Sequence, residues 1–176
     1  MDRSRPEAGV RELSWAAFDV HVQALSRSIV RSFSPEAVVG VAHGGVFVGG
    51  ALASALGADF FPVRISRRSR VHSVRGKRPR LSGTMPRELK GRHVLIVDDV
   101  AASGETLRLA KKLALKAGAR VLRTATLVSR KEGYAADFSA LTSDALFVFP
   151  WDYAAVTEDQ RFDTVPPAKS RARERR

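Results

Sequence analysis

The 176-residue sequence predicts an α/β fold with a mostly parallel sheet covered by helices on both sides. Short, wholly apolar runs at residues 38–42 and 94–97 suit strands buried on both faces. Segments with helical spacing alternate with such runs, as βαβ units require, and the length suits one domain with one core.

Residues 1–13 are charged, have no apolar core of signal-peptide type, and read as flexible. Ser14 is placed to cap a helix, and Trp15, Phe18, Val22, Leu25 and Ile29 follow it with helical spacing. Ser34-Pro35 lies beyond its end. After the strand at 38–42, Gly44-Gly45 makes a turn, and residues 46–56 are small and apolar enough for a buried helix stopped by Gly57. Residues 37–58 carry no Asp, Glu, Lys or Arg, but six glycines and His43 divide them, so they read as strand, turn and helix rather than as a membrane span.

A second strand is expected at 60–65. Residues 66–92 show no periodicity and read as a long basic loop, a length that usually marks function or disorder. The third buried strand, 94–97, leads to an amphipathic helix over 104–117. Leu107, Ala110, Leu113, Ala114 and Ala117 face inward, Arg108, Lys111, Lys112 and Lys116 outward, and Gly118 ends it. Further strands are expected at 121–128 and 145–149. The domain then covers residues 14–160, and residues 161–176 form a basic, disordered tail.

Composition narrows the function. Without cysteine there is neither a disulfide scaffold nor a thiolate metal site, and four scattered histidines do not make a zinc site. The formal net charge of +12 is uneven. Residues 61–92 hold eleven Lys/Arg against one Glu, and residues 161–176 hold six against two acids, which leaves the rest of the chain at −2. Two basic segments on a near-neutral body point to a loop that meets polyanions and a solvated tail.

The chemistry concentrates in VLIVDDVAASGET, residues 94–106. A buried strand delivers Asp98 and Asp99 at its carboxyl end, where open α/β sheets bind ligands. A loop of small residues follows, and then a helix begins, whose first N–H groups suit a phosphate. Ser103 and Thr106 add hydroxyls, and Gly104 permits close backbone approach. Paired carboxylates just before a phosphate site are able to hold ribose hydroxyls and hydrated magnesium. No Gly-Lys-Ser/Thr is present, so this is not a Walker loop.

Residues 94–106 resemble the 5-phosphoribosyl-1-diphosphate (PRPP) motif of the type I phosphoribosyltransferases, and the similarity extends over about residues 14–153. VVGVAHGGVFVGGALASAL resembles the family's pyrophosphate loop with the helix behind it, and FPWDY, residues 149–153, resembles the hood segment of xanthine-guanine phosphoribosyltransferases. The resemblance implies a parallel sheet of about five strands flanked by helices, with a small hood and a mobile loop at residues 66–92. It implies that Asp98 and Asp99 hold the ribose hydroxyls and Mg2+, and that Ala101, Ala102, Ser103, Gly104, Glu105 and Thr106 wrap the 5′-phosphate. Ala42, His43, Gly44, Gly45 and Arg64 would hold pyrophosphate; Trp151 would stack on the base, and Arg130 or Lys131 would mark its exocyclic oxygen. The implied function is cytoplasmic purine salvage by a homodimer, with PRPP and a purine base or nucleoside monophosphate as ligands and no membrane partner.

The chain departs from the family's 6-oxopurine pattern at two positions. Ala102 stands where an acid/base Asp is usual, and His43 where Arg or Lys is usual. These departures and the basic segments support the alternative, a regulatory nucleotide- or RNA-binding protein on the same fold.

Overall fold

The computed structural model of the chain describes residues 9–68 and 75–153. The elements run β1 (Val10–Glu12), α1 (Trp15–Val30), β2 (Ala37–Ala42), α2 (Gly44–Leu56), β3 (Asp59–Arg68), β4 (Arg75–Ser82), β5 (His93–Ala101), α3 (Glu105–Lys116), β6 (Val121–Ser129), β7 (Phe138–Thr142) and β8 (Leu146–Val148), with a 3-10 turn at Arg87–Leu89. The main sheet has the order β4-β3-β2-β5-β6-β7 and is parallel except for β4. A separate two-stranded sheet pairs β1 with β8 in parallel. The architecture is the expected α/β fold, with six strands in the sheet rather than about five.

Alternation along the strands sends side chains to opposite faces. Val38, Leu95 and Leu127 enter one core with Phe18, Leu25 and Leu52 of α1 and α2. Val39, Val94 and Ile96 enter the other with Leu107, Ala110 and Ala114 of α3. Burial on both faces is why these strands read as continuous apolar runs. Helix α1 begins as its spacing predicts: the Ser14 hydroxyl accepts from the Ala17 N–H at 3.1 Å. The apolar stretch of residues 37–58 divides into β2 and α2, and among the described residues no helix is long and apolar enough to cross a membrane.

Two expectations are corrected. Val10–Glu12, inside the segment expected to be flexible, is a strand that pairs with Leu146–Val148. So short a strand carries no periodicity and exists only because β8, far along the chain, comes to lie beside it. Much of residues 66–92, read as an irregular loop, is a β-hairpin: Ile65 pairs with Leu81, and Ser66 with Arg80. Strand β4 lies at the sheet edge, where Lys, Arg and Pro are the residues that keep an edge from pairing with another chain. Those same residues erase the apolar alternation by which a strand is read. Residues 69–74 of the expected mobile loop and the basic tail lie outside the described residues. Strand β7 was not expected at all; its buried anchor is Thr124 of β6, which Asp137 binds through both its N–H at 2.7 Å and its hydroxyl at 2.8 Å.

Candidate functional site

Strands β2 and β5 pair from Ala37↔Val94 to Gly40↔Val97 and then separate. Beyond β2 the chain crosses to β3 on one side of the sheet, and beyond β5 it crosses to β6 on the other. Such a reversal at the carboxyl ends of parallel strands opens a crevice. A cavity of about 810 Å³ lies there, lined among others by Ala42, His43, Gly44, Asp98, Asp99 and Thr106.

The carboxylate pair and the glycine turn are built into each other. A Cβ at Gly44 would lie 1.7 Å from Asp99 Oδ2, and one at Gly45 would lie 2.6 Å from the Val97 carbonyl oxygen and 2.9 Å from Asp98 Cα. Only glycine lets the start of α2 come this close to β5. The Ala42–His43 peptide before that turn is cis.

Asp98 and Asp99 are held by short local bonds. The Asp99 N–H donates to Asp98 Oδ1 at 3.0 Å, and the Val100 N–H to Asp99 Oδ1 at 2.7 Å. Burial, reinforced by the charge of Asp99, pushes the Asp98 carboxyl well above the usual carboxylate range. Asp99 is raised as well, chiefly by burial and in smaller part by the charge of Asp152. A cation would relieve both groups. Among the described residues there is no group of three or more His, Cys, Asp or Glu able to hold a metal. Two carboxylates without a cage fit magnesium, which keeps water and commonly binds through one or two carboxylates plus substrate phosphates.

The expected phosphate loop follows. Gly104, at φ +73°, caps α3, and Ala102 and Ser103 are exposed beside it. The carbonyls of this loop are all bonded. Ala101 O accepts from the Arg130 N–H at 3.1 Å, Ala102 O from the Tyr134 N–H at 2.9 Å, and Ser103 O from the Arg108 guanidinium at 2.7 Å. The Arg108 guanidinium also lies 5.1 Å from the centre of the Tyr134 ring, and a Cβ on Gly104 would fall 2.3 Å from that side chain. The carbonyls of the loop are thus tied back just ahead of the α3 N-terminus, and the first turn of a helix is a position that suits an anion.

Several predicted residues stand elsewhere. Arg130 does not line the cavity: its guanidinium donates to the Ser143 and Ala145 carbonyls, bracing the approach to β8. Lys131 is exposed, and its backbone N–H donates to Asp144 at 3.1 Å. Arg64 is exposed beside the site, as the β-partner of Ala42, but does not line the cavity. Trp151 does line it and is largely buried, at 8% exposure. Phe47 lies parallel to it with centroids 5.0 Å apart and planes at 5°, and Phe149 at 4.9 Å and 4°. The residue expected to stack on the base thus stands at the cavity wall, within a group of parallel aromatic rings, as bulky apolar groups do when they find neighbours.

Sequence reasoning missed Phe47, Arg108 and Tyr134 as site residues. Phe47 left a trace, a bulky residue among small ones in GGVFVGG, and Tyr134 left none.

A crevice with paired acids, a glycine turn and a phosphate-type helix start defines a nucleotide- or sugar-phosphate-binding α/β protein. The model of the phosphoribosyl transferase domain matches residues 13–157, and the chain belongs to that family. It is 34% identical over 118 residues to the adenine phosphoribosyltransferase of Kineococcus radiotolerans, a match covering 64% of this chain and 63% of that enzyme. It is 29% identical over 160 residues to the adenine phosphoribosyltransferase of Novosphingobium aromaticivorans, covering 82% and 90%. Among solved structures it is similar to the purine phosphoribosyltransferase of Pyrococcus horikoshii, with a TM-score of 0.73, 27% identity, and coverage of 85% and 97%.

Proposed function

We propose that this chain transfers the 5-phosphoribosyl group of PRPP to a nitrogenous base, a purine, and releases pyrophosphate. The observation that carries the reading is the contact of Gly44-Gly45 with Asp98-Asp99 at the mouth of the β2–β5 crevice, one loop ahead of the α3 N-terminus. It supports a substrate whose pyrophosphate, ribose and 5′-phosphate lie in that order from the glycine turn past the carboxylates to the helix start.

In this reading the N–H groups at Ser103 to Thr106 anchor the 5′-phosphate, and Asp98 and Asp99 take the ribose hydroxyls. The backbone of Ala42 to Gly45 receives the pyrophosphate, with Arg64, the β-partner of Ala42 on the adjoining strand, as a basic candidate. Magnesium, when bound by Asp98 and Asp99 with the substrate, supplies neutralisation of pyrophosphate charge. The bond between the anomeric carbon and the pyrophosphate oxygen breaks with its electron pair on oxygen. A base nitrogen forms the new bond and releases its proton to solvent. Positive charge developing on the sugar ring is stabilised by the two half-buried carboxylates, while the walls position the ring and exclude water. Ala102 has no group to exchange a proton with the base.

The homology to adenine and purine enzymes supports the purine, and cytoplasmic salvage by a homodimer is the setting we propose. A panel of purine and pyrimidine bases, incubated with PRPP and magnesium, tests the reading through pyrophosphate release. Release with at least one purine, lost in Asp98→Asn and Asp99→Asn, is expected. No release with any base, together with RNA binding that weakens steeply with salt, would replace it by the regulatory reading, in which the basic β3–β4 hairpin and tail contact RNA.

A further inference from the structure

The aromatic pile beside the crevice has one end open. Phe147, Phe149, Trp151 and Phe47 follow one another at centroid separations of 6.0, 4.9 and 5.0 Å, with interplanar angles of 16°, 4° and 5°. Trp151 lies inside the pile and is only 8% exposed, whereas Phe47, its last ring, is 42% exposed and lines the cavity. Trp15 packs on Phe47 from another direction, 6.3 Å away and tilted by 55°, so the ring is braced.

The position of Phe47 is set by the helix. Gly44 and Phe47 are three residues apart on α2 and share a face, separated by about 4.5 Å of rise. Gly44 lies against Asp99, so Phe47 stands nearly one turn beyond the carboxylates along the cavity wall. Two aromatic side chains that line the cavity remain uncovered, Phe47 and Tyr153, and of these Phe47 is the one carried on α2, on the same helix face as the glycine that abuts Asp99. An exposed apolar ring is costly to leave in water, and stacking of a base covers it.

We propose that Phe47 receives the face of the base and is a specificity-determining residue of the site, while Trp151 supports it from behind. The inference rests on the phosphoribosyltransferase reading. It gives α2, the helix that carries the pyrophosphate turn, a second task at the base.

Both tryptophans of the chain, Trp15 and Trp151, pack on Phe47, so their fluorescence reports on that ring. The test titrates the full chain with ribose 5-phosphate and with adenosine and guanosine 5′-monophosphates, in the parent and in Phe47→Leu and Phe47→Tyr. Stacking on an aromatic side chain is worth enough for Phe47→Leu to bind the nucleotides roughly tenfold more weakly. Ribose 5-phosphate affinity stays at the parental value, and Phe47→Tyr, which keeps the ring, retains nucleotide affinity. Equal nucleotide binding by Phe47→Leu and the parent, or equal losses for nucleotides and ribose 5-phosphate, overturns the inference and leaves the phosphoribosyltransferase reading standing. A parent that binds none of these ligands removes both.

Discussion

The fit between the glycine turn and the carboxylates makes Gly44→Ala a severe and specific perturbation. The new methyl would lie 1.7 Å from Asp99 Oδ2 and 2.3 Å from its Cγ, where ordinary contact begins at 3.4 Å. Either the carboxylate retreats by about 1.7 Å, the difference of those distances, or α2 lifts off β5. Overpacking of this kind costs about 1–3 kcal/mol. In a chain of this size each kcal/mol lowers the melting midpoint by about 2–4 °C, giving a fall of about 2–12 °C. The functional loss is larger, since a misplacement of about 1 Å costs about a hundredfold in rate. Gly57→Ala is the matched control: its φ is +63°, nothing lies within 4 Å of the added Cβ, and it is remote from the acids. Left-handed strain there costs roughly 1–2 kcal/mol and leaves chemistry alone. Thermal denaturation and initial rates with magnesium-PRPP, measured on both variants, separate the effects. Parental kcat/KM in Gly44→Ala, or equal activity losses in the two variants, would refute the reasoning.

The carboxylate pair predicts a pH dependence. Folded-state values of Asp98 and Asp99 lie above the unfolded ones, so the native state binds their protons more tightly. Their contribution favours folding at pH below the unfolded value, about 3.9, and is lost as pH rises through the raised folded values. Asp98→Asn should therefore raise the melting midpoint of the ligand-free protein at pH 7 while abolishing magnesium-PRPP binding in calorimetry; a lower midpoint at pH 7 contradicts this. Arg108→Met removes the guanidinium bond to the Ser103 carbonyl and should weaken ribose 5-phosphate binding about 2- to 10-fold, with pyrophosphate binding unchanged. Loss of both ligands alike would show that Arg108 serves general stability instead. Ala102→Asp supplies a proton-exchanging group and should raise transfer to hypoxanthine, guanine or xanthine, by up to about a hundredfold; no gain with any of the three removes that account of the alanine.

The order of the two loops of the candidate site was legible in the sequence because each is local. Four buried residues before Asp98 specify a strand, and small residues with Gly104 specify a turn into a helix. The same holds for the buried cores of β2, β5 and α3, whose patterns follow from facing one core or two. What only the tertiary structure decided are the contacts between distant segments. Val10–Glu12 becomes a strand because Leu146–Val148 lies beside it, and β4 because β3 offers an edge, so neither carries a pattern of its own. Arg130 and Trp151 both carry the right chemistry for a base, but folding bonds the guanidinium to the Ser143 and Ala145 carbonyls while it brings the indole to the cavity wall beside two parallel phenyl rings. Phe47 and Tyr134 gain importance for the opposite reason: folding sets one at the open end of a pile and the other against Gly104. Sequence determines which groups are available at each position, while packing determines which of their faces are already occupied, and a ligand meets only the faces that remain.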